Sequence, residues 1–162
     1  MKIFPKFFSP SDCRTLLKVS RAFDENHAKL DNRNIYFRVI NKYNNLGFVK
    51  DKLKQIGITN NPTFNITCYK KGSFFLPHID RGGPNDMKSE RLSTFIIQLS
   101  DTEDYKGGNL IVNGHIIPRD IGTAVQFDGY TLHELKEVTE GTRYSAVFWL
   151  RKGHIIALHS LI

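Results

Sequence analysis

His78-Ile79-Asp80 closes the run FFLPHID, whose apolar and aromatic composition is that of a β-strand. Side chains alternate along a strand, so His78 and Asp80 share a face and can reach one cation. An imidazole and a carboxylate suit a divalent first-row metal. A second imidazole from elsewhere would complete a two-histidine, one-carboxylate set, which leaves coordination positions open to other ligands. Alone the motif carries little weight. With six His and ten Asp in 162 residues, His-x-Asp arises by chance about once in three such chains.

Two further features add to it. His133 stands in a later β-rich run, TLHELKEV, and Arg143 follows ten residues on, at the head of TRYSAVFWL. Alternation puts Arg143, Ser145, Val147 and Trp149 on one face of that run. An arginine turned into so apolar a neighbourhood needs an anionic partner. A planar guanidinium matches a carboxylate bidentately, and the Ser145 hydroxyl can add a donor. The plainer reading, Arg143 in water at a strand end, is equally open at this point.

The remaining histidines read as structural. His115 follows the Asn113-Gly114 turn and should be solvated. His27 falls near the end of a first helix. His154 and His159 belong to the terminal HIIALHSLI, an apolar tail expected to pack on the core. Gly107-Gly108 is a turn into the next strand, because no helix or lysine follows at phosphate-loop spacing.

The elements that must position these residues are mostly strands. Ser9-Pro10-Ser11-Asp12 predicts a helix start, with Leu16, Leu17 and Phe23 lining a buried stripe to about residue 25. Residues 34–40 have strand composition. Residues 45–56 predict a second helix, with Leu46, Val49, Leu53 and Ile56 at helical spacing. From residue 63 short β-rich runs alternate with turn residues, and Asn113-Gly114 is a strong hairpin signal. About seven such strands argue for a sandwich, jelly roll or barrel, with two helices packed outside a β core. The expected organisation is one domain over 1–162: helical support in 1–60, a β core in 61–152 and a tail in 153–162.

Composition narrows the setting. The chain has an ordinary globular balance, with 40% hydrophobic and 24% charged residues, and is long enough to bury a core. Cys13 and Cys68 are too few for a disulfide framework, which favours a reducing, cytoplasmic compartment. No signal-peptide pattern and no run of membrane-spanning length is found, so no membrane association is expected. The net charge is +7. The basic residues are scattered, with no run of five or six, so nucleic acid is an open partner but not the favoured one.

From Tyr69 to Trp149 the chain resembles the prolyl 4-hydroxylase and PKHD-type branch of the Fe(II)/2-oxoglutarate-dependent dioxygenases. The matching stretches are Tyr69-x-x-Gly72, His78-x-Asp80, RLSTFIIQLSDTEDYKGGNLIV, the run from Gly122 to Phe127, His133, and Arg143-x-Ser145 with Trp149. The resemblance implies a mainly β (α+β) double-stranded β-helix, the cupin-like jelly roll. It implies that His78, Asp80 and His133 are the catalytic metal ligands for Fe(II). It implies that Arg143 pairs with the distal carboxylate of the cosubstrate 2-oxoglutarate, assisted by Tyr69 and Ser145. Gln98 occupies the position where some relatives place a tyrosine on this carboxylate, and an amide can still donate there. Collagen-type relatives carry lysine in place of Arg143.

The implied activity is hydroxylation of an unactivated C–H bond with O2, yielding succinate and CO2. L-ascorbic acid is an expected accessory reductant. A protein or peptide side chain, proline first, is the expected substrate. Two other readings stay open: the same chemistry on a nucleobase or free small molecule, and a non-catalytic metal-binding β-helix interaction module. Residues 81–90, rich in Gly, Pro and Asn, are expected to form a lid, and residues 31–40 a substrate wall.

Overall fold

Ser9 starts the first helix as its sequence predicts. The Ser9 hydroxyl accepts from the Asp12 amide at 3.0 Å, and the Asp12 carboxylate accepts from the Ser9 amide at 3.1 Å. This reciprocal cap satisfies two donors that the first turn would leave orphaned. In the computed structural model, which describes residues 1–155, helix α1 covers Pro10–Ser20 and α2 covers Gly47–Gln55. Most of the terminal tail, His159 included, lies outside the described residues.

The strands are β1 (Lys2–Phe4), β2 (Asn26–Leu30), β3 (Arg33–Ile40), β4 (Phe64–Tyr69), β5 (Phe74–His78), β6 (Ser93–Gln98) and β7 (Tyr105–Gly107), followed by β8 (Leu110–Val112), β9 (His115–Ile116), β10 (Ala124–Asp128), β11 (His133–Leu135), β12 (Val138–Gly141) and β13 (Arg143–Leu150). Antiparallel pairing runs β1-β10-β6-β13-β4-β3-β5-β11-β8-β9, with β2 beside β3 and with β7 and β12 forming a separate pair. β3 joins the two halves of this curled sheet. Its first two residues pair with β5, and Tyr36–Ile40 pair with β4. This is the predicted double-stranded β-helix, with the Asn113-Gly114 hairpin in place between β8 and β9.

Alternation sorts the core into two clusters. One lies between the helices and the outer face of the larger half-sheet, where Leu16, Val49 and Leu53 join Phe64, Phe95 and Phe148. The other lies inside the curl and contains Ile35, Ile96, Val125, Phe127 and Val147. Gly122, just before β10, permits a close approach of the Phe8 backbone, whose amide donates to the Gly122 carbonyl at 3.1 Å. It has a positive φ of 84°, and a Cβ there would stand 1.9 Å from the Phe8 carbonyl oxygen.

Two expectations need correction. Helix α1 ends at Ser20 rather than near residue 25, and the chain turns into β2. That strand, NHAKL, is almost wholly exposed and lacks the apolar alternation that would announce it. His27 therefore lies on β2, stacked on Tyr36 at 4.1 Å. Residues 1–60 thus contribute three strands as well as the helices. Among the described residues, no helix is long and apolar enough to cross a membrane.

Candidate active site

The two imidazoles come from one cross-strand pair. His78 ends β5 and His133 begins β11, and the register places them directly opposite each other, with ring centroids 4.2 Å apart. Each ring is fixed by its own strand. His78 Nδ1 bonds the Leu76 carbonyl at 2.7 Å, and His133 Nδ1 bonds the Thr131 carbonyl at 2.9 Å. A carbonyl accepts only, so Nδ1 carries a proton in each ring, and Nε2 is the atom turned toward Asp80.

Asp80 lies just beyond β5, where its amide and that of Arg81 both donate to the Gly129 carbonyl. Its Oδ1 is 3.6 Å from His78 Nε2, and its Oδ2 is 3.4 Å from His133 Nε2. The Thr94 hydroxyl on β6 donates to Oδ2 at 2.6 Å. One ligand atom from each of His78, Asp80 and His133 lies within 4.8 Å of the others, enough to surround one ion.

Electrostatics prepare the same set. Burial and the adjacent His133 push the His78 pKa down to about 4, so its imidazole is neutral near pH 7. Burial alone would raise the Asp80 pKa, but contacts with His133, Thr94 and His78 outweigh it and hold the value at about 2. The result is a carboxylate beside a neutral imidazole, the donor chemistry that Fe(II) accepts with open positions remaining.

Arg143 is among the most deeply buried side chains, at 1% exposure. Its Nη2 donates to Gln98 Oε1 at 2.6 Å and its Nη1 to the Ser145 hydroxyl at 3.3 Å, while Nε has no partner. The ring of Tyr69, its cross-strand neighbour, is 5.6 Å from the guanidinium carbon. Burial lowers the Arg143 pKa, yet no carboxylate pairs with it among the described residues. Such a desolvated cation suits an anionic partner.

Both groups open into one cavity of 320 Å³, whose walls include His78, Asp80, His133, Arg143, Tyr69 and Ser145. Arg33, Ile35 and Phe37 of β3, within the stretch expected as a substrate wall, line it too. Gln98, expected at the cosubstrate carboxylate, is buried, accepts from Arg143 Nη2 and is not among the residues that line the cavity. Of loop 81–90 only Lys88 lines the cavity, and Met87 stands 91% exposed. His115 is exposed, as expected. Thr94 escaped the sequence reading, although its alternation with Ile96 and Gln98 on β6 marks it as inward-facing.

The profile of the 2OG-Fe(II) oxygenase superfamily matches residues 64–151. A PKHD-type hydroxylase of Pseudomonas putida is 35% identical over 94 residues, 52% of this chain and 41% of that protein. A PKHD-type hydroxylase of Pseudomonas aeruginosa is 35% identical over 98 residues, 54% of this chain and 42% of that one. The matched segment thus spans about two fifths of these relatives. Among solved structures, a prolyl-4-hydroxylase of Pseudomonas putida shares the fold with TM-score 0.72 and 20% identity, covering 93% of this chain and 91% of that one. The viral collagen prolyl hydroxylase of Paramecium Bursaria Chlorella virus-1, solved with 2OG, gives 0.69 at 19% identity, covering 93% and 94%. The chain belongs to the 2OG-Fe(II) oxygenase superfamily, whose members take Fe(II) as metal and 2-oxoglutarate as cosubstrate.

Proposed function

We propose that the chain hydroxylates an unactivated C–H bond on a protein or peptide side chain, with proline as the first candidate. The supporting observation is that the His78, Asp80 and His133 cluster and the unpaired Arg143 open into one cavity. In this reading His78, Asp80 and His133 hold Fe(II). Arg143 holds the distal carboxylate of 2-oxoglutarate, with Ser145 and Tyr69 beside it and Gln98 fixing the guanidinium from behind. The bound metal and cosubstrate supply O2 activation coupled to decarboxylation to succinate and CO2.

The chain's own residues orient and shield. Thr94 holds the Asp80 carboxylate in one rotamer. The Leu76 and Thr131 carbonyls fix both imidazole tautomers. Val147 and Ile96 help keep the cavity wall apolar. The names of the relatives support the substrate class: one structural neighbour is a prolyl hydroxylase from Trichoplax adhaerens in complex with a hypoxia inducible factor peptide. Two buried free cysteines fit a reducing, cytoplasmic setting, and ascorbate is the reductant to include in assays.

Succinate release with candidate peptides, Fe(II), ascorbate and 2-oxoglutarate tests the reading. The expected product gains one oxygen atom in step with succinate. Succinate never coupled to any modified peptide would remove the peptide assignment. The net charge of +7 keeps a nucleobase substrate as the second reading, tested by salt-dependent binding of single-stranded DNA or RNA.

A further inference from the structure

Three cations line the cavity besides Arg143: Arg33, Lys88 and Arg91. None forms an ion pair among the described residues. The cavity's acids are already engaged. Asp80 belongs to the metal cluster, and Glu134 lies 3.1 Å from Lys136. Nearby Asp86 accepts from the Lys88 amide at 2.8 Å.

The two arginines are held rather than loose. The Arg33 guanidinium carbon sits 5.5 Å from the centre of the Phe75 ring, and that of Arg91 sits 4.1 Å from Trp149. A cation over a ring face still has N–H groups to offer a carboxylate. Arg33 Nε is buried with no partner. Phe75 links Arg33 to the metal cluster, because its ring also stacks on the His78 imidazole at 3.6 Å. One to three residues of extended peptide cover such a span. A second cosubstrate does not explain these cations, since Arg143 already provides one carboxylate site at the cavity wall.

Resting on the proposed function, we infer that the substrate is an acidic peptide, with an Asp or Glu side chain one to three residues from the hydroxylated position bound by Arg33 and Arg91. Charge and apolarity together favour a peptide over nucleic acid. The cations sit among apolar wall residues such as Ile35, Phe37 and the half-exposed Ile79, rather than along a phosphate-spaced surface row.

The test compares three proline-containing peptides that differ only in flanking residues: aspartate or glutamate, serine, and lysine. The acidic peptide should show KM on the order of tenfold or more below the lysine peptide, the scale of one charge-assisted contact. Arg33→Glu and Arg91→Glu should each shrink or invert that ratio, and Arg33→Gln should flatten it without introducing a new charge. The anaerobic Fe(II)–2-oxoglutarate visible band and the cosubstrate-induced rise in Tm are followed in every protein. Equal KM values for all three peptides, with the wild-type band intact, overturn the acidic-peptide inference and leave the hydroxylase reading standing. No band in the wild type overturns the hydroxylase reading and this inference with it. A single-stranded oligonucleotide that displaces the best peptide and is itself oxidised overturns the inference in favour of nucleic acid.

Discussion

Along β13, Ala146, Phe148 and Leu150 turn one way, and Arg143, Ser145, Val147 and Trp149 turn the other. The first set packs within the cluster that α1 and α2 cover; Phe148 stacks on Phe64 at 4.4 Å and meets Phe95 edge-on at 6.1 Å. The second set faces the cavity. Among the described residues the outer face is complete: Ala146, Phe148 and Leu150 are apolar and fully buried, and the half-buried Tyr144 packs against the same cluster. The inner face is not. The buried side-chain atoms without a partner among the described residues are Arg33 Nε, Arg143 Nε and Trp149 Nε1, and all three residues line the cavity. One strand thus divides stability from function by alternation alone. The inner face gives up hydrogen-bond satisfaction, which a ligand can restore.

The most severe break of this contrast is His133→Ala. Coupled succinate formation should fall to background and the Fe(II)–2-oxoglutarate band should vanish, while the metal-free protein still melts cooperatively. Phe148→Ala should do the opposite. It should cost about 3–5 kcal/mol of stability by leaving a cavity, read from urea melts, while the folded fraction keeps the band. Arg143→Met should raise the KM for 2-oxoglutarate on the order of tenfold to a hundredfold, the scale of a lost charged hydrogen-bond pair. It should not lower the Tm of the ligand-free protein, because it removes a desolvated, uncompensated cation. A lowered Tm would mean that Arg143 supports the fold as well as the site.

The smallest effect is a pH dependence. The folded His78 pKa of about 4 lies below the unfolded value of about 6.5, so the unfolded state binds the proton first. Metal-free protein should therefore lose about 1–2 kcal/mol between pH 7 and pH 5 through this residue. Asp80 shares the direction at lower pH, since its folded pKa of about 2 is also depressed. Urea melts of wild type and His78→Phe at the two pH values measure the difference.

Much of this was legible in the chain, for identifiable reasons. The His-x-Asp spacing on a strand already put two ligands on one face. The same alternation put Arg143, Ser145 and Trp149 together, and the helix cap at Ser9 follows from residue types within one turn. The exposed β2 was not legible, because a strand whose neighbours are solvent has no apolar period to show. Its absence moved His27 onto the wrong element. Gln98 was legible as an inward-facing strand residue but not as the group behind Arg143.

Sequence by itself therefore determined the local arrangements: which side chains share a strand face, where α1 begins, and which residue types could bind a metal and a carboxylate. Tertiary structure decided what those faces meet. Only the β5–β11 register set His78 opposite His133, and only the curl of the sheet turned Arg143, Arg33 and Arg91 into one cavity. The physical reason is range: alternation and capping act over a few residues, whereas the site is closed by pairings between strands 55 and 45 residues apart, at His78–His133 and Gln98–Arg143.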